Sequence, residues 1–113
     1  MCKNCKIIEE VFQAAKGEAN MNYFPVYRML EAMLAQNRIE VYAGDCPFGE
    51  ALEVLNSDQH YTVSFYLECS RCYDIYFFGA CIRGMPVYKK VENINREPVE
   101  RLLWGKEGRY FRD

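Results

Sequence analysis

The stretch YTVSFYLECSRCYDIYFFGACIRG, residues 61–84, decides how this chain folds. Tyr61, Val63, Phe65 and Leu67 alternate with Thr62, Ser64, Tyr66 and Glu68, the two-residue period of a β-strand. A bend follows at CSRC, and YDIYFFGACIRG then supplies a second strand from Tyr73 to about Arg83, rich in aromatic and β-branched residues. Strands joined by so short a connection pair antiparallel. Gly84 and Pro86 punctuate the second strand, and VYKKV at 87–91 offers a third.

Upstream the period changes. Ile7, Ile8, Val11, Phe12, Ala14 and Ala15 form the stripe of an amphipathic helix, with Asn4 as N-cap and Gly17 weakening its end. A second helix is expected from Pro25 through PVYRMLEAMLAQN, with Val26, Leu30, Met33 and Leu34 on one face and Asn37 as its stop. RIEVYAG alternates again and suits a strand, GDCP at 44–47 is a turn, and FGEALEVLNSD fits a short helix or irregular segment. After Asn95, REPVERLLWG places Pro98 in the first turn of a short helix that carries Val99, Leu102 and Leu103 and stops at Gly105. Tyr110 and Phe111 give the charged tail something to dock with. Helices and strands are thus segregated along the chain. The expected fold is α+β: two N-terminal helices on an antiparallel sheet of about three to five strands, with a short C-terminal helix, in one domain spanning residues 1–113.

Half of the 113 residues are apolar and 27% are charged, a globular composition. No apolar run is long enough for a membrane span, and MCKNCKIIEE lacks the apolar core of a secretory signal. A cytoplasmic protein is the expectation. Residues 1–69 hold five Lys/Arg against ten Asp/Glu, and residues 70–113 hold nine against six. In a domain this small the two halves interleave, so their opposed fields should largely cancel.

Four of the six cysteines, Cys2, Cys5, Cys69 and Cys72, form two C-x-x-C pairs, CKNC and CSRC. A tetrahedral zinc ion takes four thiolates at about 2.3 Å, and one C-x-x-C turn presents two of them. The second pair, at a strand-to-strand bend, resembles the knuckle of zinc-ribbon proteins over about a dozen residues. Two features run against that likeness. Sixty-three residues separate Cys5 from Cys69, and Tyr73 stands where a knuckle has glycine. Reduced cysteines packed as small hydrophobes remain an equal alternative. A redox pair or a disulfide is a third and weaker one, because CKNC has no strand before its helix and CSRC precedes a strand. Cys81 reads as core, and Cys46 as a substitute ligand.

Familiar catalytic sets are missing. His60 is the only histidine, which excludes a His-rich metal centre, and no phosphate loop, nucleophile elbow or H-E-x-x-H occurs. Glu9 with Glu10, and Glu50 with Glu53, are ordinary surface pairs of helices. Tyr66, Tyr76 and Phe78 on one sheet face, beside Arg71, Arg83, Lys89 and Lys90, would suit stacked bases. The acidic chain and the covering helices favour a core role for these rings instead. Arg83, bracketed by Gly79 and Gly84, is a presented side chain or simply a strand end.

The expectation is therefore a small non-enzymatic protein that acts through a protein–protein surface, with another protein as partner. In general character it resembles the small acidic α+β proteins with which bacteria neutralise toxins, though no motif carries that likeness. The alternative is a four-cysteine module with one zinc ion on Cys2, Cys5, Cys69 and Cys72, regulatory or nucleic-acid-binding. The sequence leaves the oligomeric state open.

Overall fold

The computed structural model describes residues 2–16, 23–57, 60–81, 86–92, 99 and 101–111. Its elements run α1 (Lys3–Lys16), α2 (Phe24–Ala35), β1 (Ile39–Gly44), a 3-10 turn (Phe48–Glu50), α3 (Ala51–Asn56), β2 (Thr62–Cys69), β3 (Ile75–Cys81), β4 (Val87–Val91) and a 3-10 turn at Arg109–Phe111. The strands form one antiparallel sheet in the order β1-β2-β3-β4. This is the α+β arrangement expected. Val99, Arg101 and Leu102 are helical, whereas Asn95, Pro98, Arg83 and Gly84 lie outside the described residues. Among the described residues no helix is long and apolar enough to cross a membrane.

Helix α1 buries Cys5, Ile8 and Phe12, residues three and four apart and therefore on one face. Its first turn begins a residue before Asn4, which corrects the capping expectation. The Cys2 carbonyl accepts from Lys6 N–H at 3.0 Å and the Cys2 sulfur from Cys5 N–H at 3.5 Å, so Cys2 is the N-cap. At the end of α2, Asn37 takes the left-handed conformation at φ 60°. Its N–H bonds to Leu34 O at 3.1 Å and that of Arg38 to Met33 O at 2.9 Å, a Schellman motif that turns the chain directly into β1.

The face of the sheet beneath α1 and α2 carries Val63, Phe65, Leu67, Tyr76, Phe78 and Tyr88. Phe78 is fully buried among the rings of Tyr27, Phe48, Phe65 and Tyr88, with centroids 5.8–6.5 Å away. Tyr66 is on the opposite face with Ile75 and Phe77, because the side-chain period of two separates it from Phe65 and Leu67. The expectation that Tyr66 shares a face with Tyr76 and Phe78 is corrected. All three rings are buried, so they do not form a stacking platform.

That opposite face is covered by the C-terminal residues Val99, Leu103, Tyr110 and Phe111. Asp45, buried just after β1, fastens them. One carboxylate oxygen accepts from Trp104 N–H at 2.7 Å and Gly105 N–H at 3.1 Å, and the other from Ser64 N–H at 2.8 Å. Burial pushes the Asp45 carboxyl above its usual range, and the three N–H donors oppose that shift. Glu107 exchanges two backbone hydrogen bonds with Gly44 at 2.8 and 2.9 Å. Arg109 forms an ion pair with the buried Glu68 and a second with Glu40 at 3.6 Å. The sheet is thus filled on both sides.

Candidate metal centre

The β2–β3 connection and the start of α1 meet at one end of the molecule. Cys69 is the last residue of β2 and is fully buried, while Cys72 is exposed in the turn that follows. Cys2 caps α1, and Cys5, one turn in, points inward with no exposure. The four sulfurs all lie within 4.8 Å of one another. Cys5 is 3.1 Å from Cys72, and Cys2 is 3.5 Å from Cys72 and 3.6 Å from Cys69. None is in a disulfide. Four sulfurs at about 2.3 Å from a tetrahedral ion would stand about 3.8 Å apart.

The 63-residue gap is closed by the fold itself. Ile39 pairs with Cys69 across β1 and β2. The carbonyl of its neighbour Arg38 accepts from Asn4 Nδ2 at 3.0 Å and from Ser70 N–H at 3.0 Å. One peptide oxygen, placed by the Schellman turn of α2, therefore ties CKNC to CSRC. This is the role Asn4 has in place of capping.

The missing glycine is resolved in the backbone. Tyr73 takes φ 68°, the left-handed conformation a glycine would adopt there, and its N–H bonds to Cys69 O at 3.0 Å. Its ring is 67% exposed, so little packing offsets the strain. Tyr73→Gly is expected to stabilise the protein by about 0.5–1 kcal/mol, the relief of the left-handed strain less the added entropy of the unfolded chain. Urea unfolding of the two proteins reads that difference.

Backbone or amide donors serve three of the four sulfurs. Cys69 accepts from Arg71 N–H at 3.4 Å and from Asn4 Nδ2 at 3.8 Å. The Asp74 backbone N–H serves Cys72. The N–H of Cys5 holds the Cys2 thiol down to about 6, within reach of ionisation at neutral pH. Burial pushes Cys5 and Cys72 up, so both are protonated thiols unless a cation takes the proton's place. Lys3, Lys6, Arg38 and Arg71 are all exposed beside the cluster. They suit the double negative charge that four thiolates leave on a divalent ion. The Asp74 carboxylate, 3.8 Å from Cys5 Sγ, faces Lys90 at 3.4 Å.

The other residues singled out in the sequence stand apart. Cys46 is buried in the helix-side core and Cys81 is half-buried at the end of β3, and neither joins the cluster. His60 stacks on Trp104 with centroids 3.5 Å apart and is not part of the four-cysteine cluster. A groove of about 490 Å³ between α2 and β1 is lined by Glu31, Glu40 and Glu107 with apolar neighbours. Glu31 pairs with Arg28 at 3.0 Å and Glu40 with Arg109, so both act as surface ion pairs. Sequence reasoning missed Asp45 and Arg109, whose partners lie far off in the chain, and it missed Tyr76 as a neighbour of Cys5.

No family model matches this chain, and no curated protein or solved structure matches it either.

Proposed function

We propose that this protein is a non-enzymatic binding domain held in shape by one zinc ion on Cys2, Cys5, Cys69 and Cys72. The observation that carries the proposal is the sulfur cluster: four unbridged cysteines within 4.8 Å of one another, contributed by two C-x-x-C segments that the fold brings together. The four sulfurs lie close together both within and between the two motifs, as a shared ion requires.

The ion would be structural. All four tetrahedral positions are filled by protein sulfur, which leaves none for water or substrate. It would fasten α1 to the β2–β3 hairpin. The working surface is then the outside of a fixed scaffold, with another protein as partner. Free thiols held ready for a metal suit the reducing cytoplasm. Four exposed cations at the metal end favour a second reading, in which that end touches an anionic partner such as a nucleic acid.

Elemental analysis of protein purified under reducing conditions is the test. One zinc per chain is expected, and about none in Cys69→Ser. Metal-free protein with four freely reacting thiols and no uptake of added zinc would overturn the proposal. A coloured preparation containing iron in place of zinc would keep the site and change the ion.

A further inference from the structure

We propose that Tyr76 is the outer donor of the metal centre, its hydroxyl hydrogen-bonding the Cys5 thiolate and so positioning that ligand and raising the affinity of the site. This inference rests on the zinc reading given above.

Tyr76 is 1% exposed, and its hydroxyl oxygen has no hydrogen-bond partner among the described residues. A buried hydroxyl left in that state is destabilising. The residue lies on the helix-side face of β3, beneath α1, with its ring 6.1 Å from that of Phe12. Asp74, two residues before Tyr76, comes within 3.8 Å of the Cys5 sulfur, and Tyr76 and Cys5 belong to the same buried cluster beneath α1. A neutral thiol is a weak acceptor, whereas a metal-bound thiolate is a strong one. The partner that Tyr76 lacks is therefore created when Cys5 loses its proton to an ion.

The other three sulfurs point the same way. Cys2 is served by the Cys5 N–H, Cys69 by Asn4 and the Arg71 N–H, and Cys72 by the Asp74 N–H. Cys5 is fully buried, and the described contacts of its sulfur are with Cys72 and the Asp74 carboxylate, neither of them a backbone N–H. Tyr76 completes the set. Such outer partners hold a ligand in the geometry the metal needs, and their loss commonly weakens binding 10–100-fold.

A built-in control exists. Tyr88 also buries a hydroxyl without a partner, but its ring stacks on Phe12 and Phe78 with centroids 5.3 and 5.8 Å away, in the aromatic core. The experiment compares the unaltered chain with Tyr76→Phe and Tyr88→Phe, each in metal-free and zinc-loaded form. Zinc affinity is read by competition with a chromogenic chelator, and the sulfur-to-metal charge-transfer band is read after cobalt substitution. Tyr76→Phe is expected to bind zinc about 10–100-fold more weakly and to move that band to lower energy, because an unsupported thiolate gives up its electrons more readily. Its metal-free form is expected to be at least as stable to urea as the unaltered chain, having lost an unsatisfied hydroxyl. Tyr88→Phe should leave affinity and band unchanged. Equal zinc affinity and an unmoved band in Tyr76→Phe would overturn the assignment while leaving the metal centre standing. Failure of the unaltered chain to take up zinc would overturn both.

Discussion

Cys69→Ser is expected to lose the metal and at least about 4 kcal/mol of stability, the linkage contribution of a ligand present at a thousand times its dissociation constant. The residue is fully buried at the end of β2 and pairs with Ile39. Its sulfur stands 3.6 Å from Cys2 and accepts from Asn4 and Arg71, so it is central to the cluster. Serine keeps the size but offers a hydroxyl that stays protonated at neutral pH, leaving three thiolates and a weaker site. Chelation of the unaltered protein should reproduce the effect and add nothing to the variant. The core beneath α1 and α2 does not depend on the ion, so collapse of the whole fold is not expected. Loss should concentrate in the first turn of α1 and the turn at residues 70–74. Urea midpoints with and without chelator, together with amide exchange, read both statements. Coincident midpoints for loaded and chelated protein would show that no ion stabilises the fold.

The second large effect is expected on the other face. Asp45→Ala removes the acceptor for three backbone N–H groups, those of Ser64, Trp104 and Gly105. Stranding buried donors costs about 1–3 kcal/mol each, and partial access to water lowers the total to about 4 kcal/mol. Gly105→Ala strikes the same contact from the opposite side. A Cβ there would come within 1.8 Å of the Asp45 carbonyl oxygen, a backbone atom that cannot rotate away. A loss of about 4 kcal/mol or more is expected, with release of the C-terminal segment from Tyr66 and Phe77. Trp104 is the only tryptophan, and its indole N–H donates to Thr62 O at 2.7 Å, so its fluorescence reports this segment alone. An unchanged emission spectrum and urea midpoint in Gly105→Ala would contradict the close approach. Zinc content should be unaffected in both variants, since the fastening lies on the other side of the sheet.

The contrast between these two regions shows what local pattern in a sequence reveals. The alternation in β2 and the apolar stripes of α1 and α2 are imposed by neighbours within a few residues, so they were legible. Asn37 was legible as a stop for the same reason, because left-handed backbone favours asparagine. The four cysteines could be singled out by spacing, but not brought together. What joins them is the Arg38 carbonyl, a backbone atom with no signature in the sequence. Tyr73 misled because a glycine preference is an energetic bias, and the protein tolerates the strain. Asp45 looked like an ordinary turn residue, since its acceptors' partners lie 19, 59 and 60 positions away. The covering of the second sheet face was hidden too. It depends on single apolar residues scattered through a charged tail, where no periodicity forms.

The Arg38 tie also sets an order of events during synthesis. The first two sulfurs leave the ribosome long before CSRC exists, and their partners arrive only after β1 and β2 have been made and paired. Any ion caught early would be held by two loose ligands and exchanged freely. Firm capture would come as a late closing step, so the metal would chiefly slow the escape of a finished fold and do little to hasten its formation.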